Sequence, residues 1–192
     1  MRPHPAAEAF LQRRYVAVFV TTRPDGTPHA APVWFEYEAS EEGGLFRICT
    51  DPESVKVRNL QAHPTAALCV ATHEPPYRYV LAEGQARLET ASEPDSAPHR
   101  LLRRLAVRYL GEQEGLRYAD SLRGEALTMV TLAAQRVRWY DESAGTGWRC
   151  TVSGHNPPPP ARCEAGLRAI PRRKTRMRVD TTTKDVAIDT AW

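Results

Sequence analysis

Between residues 15 and 140 the chain alternates short apolar runs with turn residues, and beyond that the pattern stops. Residues 15–22 (Tyr-Val-Ala-Val-Phe-Val-Thr-Thr) form an unbroken β-branched and aromatic run, which predicts a buried strand. Arg23-Pro24-Asp25-Gly26-Thr27-Pro28 predicts a tight turn, because proline presets one dihedral and Asp-Gly supplies the positive φ of a hairpin. Residues 29–37 read as the second strand, with Val33, Trp34, Phe35 and Tyr37 as its bulk. A turn at residues 41–44 leads into a third strand over 45–50, completing an antiparallel meander.

Asp51 then reads as a helix N-cap and Pro52 as the first helical residue. The helix runs to about residue 62 and stops before Pro64, since the residue preceding a proline is pushed out of helical geometry. Residues 65–71 predict a fourth strand, and Pro75-Pro76 breaks the chain. A long fifth strand spans 77–89, with Gly84 marking a bulge or a close backbone approach. After a loop at 94–98, Leu101, Leu102, Leu105, Tyr109 and Leu110 form the apolar stripe of an amphipathic helix. Arg100, Arg103, Arg104 and Arg108 lie around its polar side and read as a solvated face. Gly111 interrupts, residues 114–122 predict a shorter helix, and 126–140 predict a last strand with room for a kink near Ala133-Ala134. The sum is a mainly β, α+β domain over residues 1–142: a six-stranded antiparallel barrel, closed or nearly so, with a few peripheral helices.

Residues 143–192 break this order. Pro157 to Pro160 cannot sit inside a helix or sheet, and Arg172-Arg173-Lys174-Thr175-Arg176-Met177-Arg178 is basic without periodicity. Large apolar residues are sparse, so the segment is expected to be a disordered Pro/Arg-rich tail. The tail also accounts for the charge. Of 26 Lys and Arg and 23 Asp and Glu, 9 and 4 lie from Thr146 onward, which leaves 17 against 19 in the folded part. A mildly acidic domain lacks the broad basic face of a nucleic-acid binder. No apolar run is long enough for a membrane span, and residues 1–14 are too polar for a signal peptide, so a cytoplasmic protein without nucleic-acid or membrane partners is expected. Cys49 and Cys69 sit in apolar runs, where a thiol acts as a small hydrophobe. Cys150, His155 and Cys163 fit no zinc spacing, and no metal is expected.

Lys56 carries the candidate chemistry. It is the only lysine before Lys174 in a chain that otherwise uses arginine. A lysine is a compact point charge that meets a phosphate end-on, whereas arginine is a broad fork. Lys56 sits with Ser54 and Arg58 where the helix should begin, and a helix N-terminus already offers N–H donors and partial positive charge to an anion. The same residues suit a solvated helix face equally well.

The order of these segments resembles the split β-barrel flavin and deazaflavin oxidoreductases, the pyridoxamine 5'-phosphate oxidase-like superfamily, and within it the branch that uses coenzyme F420. The resemblance rests on Arg23-Pro-Asp-Gly-Thr-Pro-His29, Ala31-Pro-Val-Trp-Phe35, Ser54-Val-Lys-Val-Arg-Asn-Leu60, His63-Pro64, Pro75-Pro-Tyr-Arg-Tyr79 with Glu83-Gly84, and Arg108-Tyr-Leu-Gly111 with Arg117-Tyr118. It implies an obligate homodimer with two cofactor sites at the subunit interface. It implies that Ser54, Lys56, Arg58 and Asn59 hold the cofactor phosphate, that Thr21 also belongs to the cofactor site, and that the backbone of Ala31, Pro32, Val33 and Trp34 lies along the ring edge. Tyr77 and Arg78 would complete the pocket from the partner chain. Surplus aromatics (Trp34, Phe35, Tyr77, Tyr79) give a separate reason to expect an interface. Val55 stands where FMN-binding relatives often carry a second cation, which favours the deazaflavin and leaves FMN as the alternative.

No carboxylate pair, Cys–His couple or Ser–His–Asp order asks to be a catalytic constellation, and no catalytic residue is assigned. His29 and His63 lie near turns. The resemblance implies that the cofactor carries the hydride chemistry while the protein binds and orients. The leading expectation is an F420-dependent reductase of a small organic substrate. An FMN-dependent oxidase or flavin reductase, and a non-catalytic carrier of the cofactor, are the alternatives.

Overall fold

A computed structural model of the chain describes residues 3–41 and 43–144. The tail expected over residues 143–192 therefore lies, past Ala144, outside the described residues, as do Cys150, His155 and Cys163. Helix α1 (Pro5–Leu11) precedes strands β1 (Ala17–Thr22), β2 (Pro28–Val33), β3 (Glu36–Glu38) and β4 (Leu45–Thr50). Helix α2 (Val55–Ala62), strands β5 (Thr65–Ala71) and β6 (Arg78–Ala91), helices α3 (Ala97–Leu110) and α4 (Glu112–Ser121) and strand β7 (Leu127–Asp141) complete the order. The mainly β antiparallel architecture is as expected.

The strands form one sheet in the order β2-β1-β5-β6-β7-β4-β3. Its two end strands, β2 and β3, are neighbours in the chain, separated only by Trp34 and Phe35. Three Cα–Cα steps span at most about 11 Å, so the ends of the sheet must curl toward each other as a barrel. This connection corrects the expected strand over 29–37. It is two strands, and the described sheet has seven rather than six. The residue types do not change at the break. The partner does: β2 pairs with β1 (Ala17 opposite Val33), and β3 pairs with β4 (Glu36 opposite Arg47).

Inward positions alternate with outward ones along each strand. Phe19, Phe46, Ile48, Leu68, Val70, Val80, Val130 and Leu132 fill the interior with almost no exposure. Helix α1, which the sequence reading did not anticipate, adds Ala7, Phe10 and Leu11 to this core. Phe10 packs on Tyr15 at 4.8 Å and on Trp139 at 5.2 Å between ring centroids.

Gly84 combines both expected features. The β6–β7 register shifts between Glu83 and Gly84, and a Cβ at residue 84 would lie 1.9 Å from the Ala133 carbonyl oxygen. The predicted kink near Ala133-Ala134 is this same irregularity, within a continuous strand.

Helix α3 lies against β4, β6 and β7, and two of its arginines are clamps rather than members of a solvated face. Arg104 grips both carboxylate oxygens of Glu36 at 2.8 Å. Arg108 donates to the carbonyls of Leu11 and Arg13 at 3.1 and 2.6 Å. The Tyr109 hydroxyl donates to the Tyr15 carbonyl at 2.7 Å, tying α3 to the entry of β1. Tyr109→Phe is expected to lower unfolding free energy by about 1 kcal/mol in a denaturant titration, one hydrogen bond to a part-buried carbonyl. Among the described residues no helix is long and apolar enough to cross a membrane.

Candidate functional site

The site is built where β4 hands over to α2. Asp51 uses its carboxylate to accept the Glu53 N–H at 2.6 Å, closing a turn ahead of the helix. The helix therefore starts later than expected, with Ser54 instead of Asp51 at the N-cap. Ser54 has the extended backbone of an N-cap but makes no side-chain bond to the helix. Its hydroxyl meets the Thr50 hydroxyl at 3.3 Å instead. The first turn of α2 thus lacks the side-chain acceptor that normally answers its N–H donors.

Four predicted residues come together on this side. Lys56 is 6% exposed and Asn59 3% exposed, on a helix whose Val57 and Leu60 also face inward. Asn59 Nδ2 donates to Thr21 Oγ1 at 2.9 Å, locking the helix to β1. Ser54 completes the group. Lysine is almost never so buried without partners, so its ammonium answers polar groups within the fold. Sequence reasoning missed two neighbours, Thr50 and Thr128. They face each other across β4 and β7, and Thr128 hydrogen-bonds Thr90 at 2.8 Å. The signal was present in the alternation Phe46, Ile48, Thr50, which points the threonine inward.

Other predicted residues stand elsewhere. Arg58 is on the exposed side of α2. Val33 is buried in the core, while Pro32 is exposed on edge strand β2. Trp34 lies flat on Tyr109 (5.1 Å, 5°) and edge-on to Tyr118 (5.9 Å, 70°). Its side chain thus serves the α3–α4 contact, and only the β2 backbone is left for a ring edge. Phe35 is wholly buried, so of the four surplus aromatics only Tyr77, half-exposed, and Tyr79, stacked on Tyr140, face outward.

Tyr77 and Arg78 sit at the far end of the sheet. Tyr79 pairs with Ala71 and Gln85 with Thr65, near which α2 ends, so about 20 Å of strand separates them from the Lys56 group. Arg78 is held within its own protomer, by Asp141 at 3.1 Å and Ser143 at 3.1 Å. The Ser143 hydroxyl, with the Arg78 guanidinium, keeps the Asp141 carboxyl below its ordinary range.

Cys49 lies on β4 with its thiol donating toward the Pro98 carbonyl at 3.6 Å. Burial pushes this thiol up to about 12, and burial also raises Cys69. The raised value favours the neutral form in the folded state. Its stabilisation is complete below the ordinary thiol pKa and is lost as pH rises from about 9 to about 12. Cys49 is expected to escape alkylation at pH 8.5 until the protein is unfolded, as read by peptide mass spectrometry. Among the described residues no cluster of His, Cys, Asp and Glu could hold a metal ion.

Residues 3–139 match the family model described as pyridoxamine 5'-phosphate oxidase. No curated protein matches the chain. Among solved structures, a conserved hypothetical protein from Mycobacterium tuberculosis is similar at 26% identity, with a TM-score of 0.58, over 79% of this chain and 93% of that one. A structure described as an F420 reductase is similar at 25% identity, with a TM-score of 0.52, over 70% of this chain and 97% of that one. An FMN-binding protein from Nostoc punctiforme PCC 73102, related to pyridoxamine 5'-phosphate oxidase, shares the fold at 16% identity and a TM-score of 0.50, over 73% and 85%.

Proposed function

The chain belongs to the pyridoxamine 5'-phosphate oxidase family, and from that premise we propose that it is a coenzyme F420-dependent reductase acting on a small, electron-poor organic substrate. The observation that carries the proposal is the buried Lys56 beside Ser54, at a helix N-terminus without a side-chain cap. These groups suit a phosphate, with the lysine as point charge and the helix end as donor. The likeness at 25% identity to an F420 reductase supports the deazaflavin over FMN.

The bound deazaflavin supplies hydride transfer. The residues of this chain bind and orient it: Lys56, Ser54 and the α2 N-terminus at the phosphate, Asn59 and Thr21 bracing the helix, the β2 backbone near Pro32 along the ring. Arg58, on the exposed side of α2, reaches the phosphate only from the mouth of the site.

The site is proposed to be shared between two copies. Within one protomer Tyr77 and Arg78 lie too far from Lys56 to join it, so they reach a cofactor only across an interface. Val16, just ahead of β1 and 38% exposed, Val18 on its outer face at 44%, and half-exposed Tyr77 supply apolar surface for a second copy. Sedimentation is expected to show a dimer, and a monomer at micromolar concentration would remove the shared site.

The reaction is tested by mixing protein and reduced deazaflavin with a panel of enones and imines and following cofactor absorbance. Substrate-dependent oxidation is the expected result. Saturable binding without turnover over the whole panel identifies a carrier instead, and protein purified with bound FMN contradicts the choice of cofactor.

A further inference from the structure

A concavity lies away from the Lys56 group, between α1 and the paired ends of β6 and β7. It is a cleft of about 310 Å³, at the small end of the range for small-molecule sites. Ala6 and Ala9 of α1 form one wall, and their short side chains leave the space open. Phe10 and Trp139, 5.2 Å apart, supply aromatic surface. Arg78, Asp141 and Arg13 supply charge.

The three charges differ in what they are free to do. Arg78 and Asp141 answer each other at 3.1 Å. Arg13 is exposed, and among the described residues its side chain makes no hydrogen bond or ion pair. Its position is nevertheless fixed, because Arg108 holds the backbone carbonyls of Leu11 and Arg13 and the Arg13 N–H bonds the Phe10 carbonyl at 3.0 Å. The cleft therefore presents an indole face, one uncommitted guanidinium on an anchored segment, and a net single positive charge.

We propose that this cleft binds a small aromatic carboxylate, its ring against Trp139 and Phe10 and its carboxylate on Arg13. An indole face takes a ring by offset stacking, and a guanidinium takes a carboxylate with two parallel hydrogen bonds. Within one protomer Lys56 lies about 20 Å of strand away, and Arg78, proposed for the partner's cofactor pocket, is committed here to Asp141, so Arg13 alone takes the carboxylate.

The test is titration of the full chain with 2-naphthoate and with the neutral 2-naphthylmethanol, by calorimetry and by the Trp139 indole N–H signal in a nitrogen-15 spectrum. The acid is expected to saturate, to shift the Trp139 signal, and to bind at least about ten-fold more tightly than the alcohol. Arg13→Ala is expected to erase the difference between the two. Ala9→Phe, at an exposed helix position, is expected to weaken both at least about ten-fold by filling the cleft. Saturating F420 is expected to leave both affinities unchanged, and competition by F420 would make the cleft part of the shared cofactor site and overturn the proposal. Equal binding of acid and alcohol, an undisturbed Trp139 signal, or full acid affinity in Arg13→Ala overturns the proposal.

Discussion

Lys56→Ala is expected to weaken cofactor binding about 10- to 150-fold, the equivalent of one hydrogen bond to a charged group at about 1.5–3 kcal/mol. A lysine 6% exposed on α2 holds its charge inside the site, where screening by water is weakest. Lys56→Arg is expected to restore little, because a planar fork does not occupy the volume of a compact ammonium. Asn59→Ala separates binding from bracing. It removes the bond to Thr21, so it should lower the melting temperature more than it lowers affinity, whereas Lys56→Ala, which also removes a buried polar group, should lower both with the larger effect on affinity. Unaltered cofactor affinity in Lys56→Ala would put the phosphate elsewhere.

Gly84→Ala is expected to cost about 3 kcal/mol or more in unfolding free energy, or to abolish soluble protein. The added Cβ meets the Ala133 carbonyl oxygen at 1.9 Å, its carbon at 2.9 Å and Ala134 Cα at 3.1 Å. All three are backbone atoms of the neighbouring strand, so no side chain can turn aside. The bulge opposite Gly84 sets the register of the long β6–β7 pair, and β6 is one of the strands that α2 contacts. Gly26→Ala is the control. Its φ of +84° carries a left-handed strain of about 1 kcal/mol, but its Cβ meets nothing. A thermal melt in which the two variants fall together would refute the close approach.

Much of this was legible because local chemistry and tertiary structure agree. The hairpin at Asp25-Gly26 forms as its residues demand, with the Asp25 carboxylate taking the Thr27 N–H at 2.9 Å. Gly84 stood out because a glycine in an apolar strand needs a reason. What was not legible depended on partners. Trp34 and Phe35 read as strand, and only the exchange of β1 for β4 as the paired strand ends β2 there. Helix α1 has seven residues, too short to stand alone, and it exists because Ala7, Phe10 and Leu11 join the barrel core. Asp51 read as the cap, and Ser54 takes that place because the aspartate carboxylate closes on the Glu53 N–H instead. At the site, Lys56, Asn59 and Ser54 are buried around the start of α2 and Asn59 bonds Thr21; that they hold a cofactor phosphate is the proposal. Trp34 is engaged by two tyrosines that no pattern in its own segment reveals.

The central claim is that the α2 N-terminus with Lys56 grips the phosphate of a deazaflavin. Direct titration of the pure protein with coenzyme F420 and with FMN, followed by absorbance and fluorescence, tests it most simply. The account predicts saturation by F420 at one per protomer, with weaker binding of FMN. Saturation by FMN alone, or by neither, would contradict it.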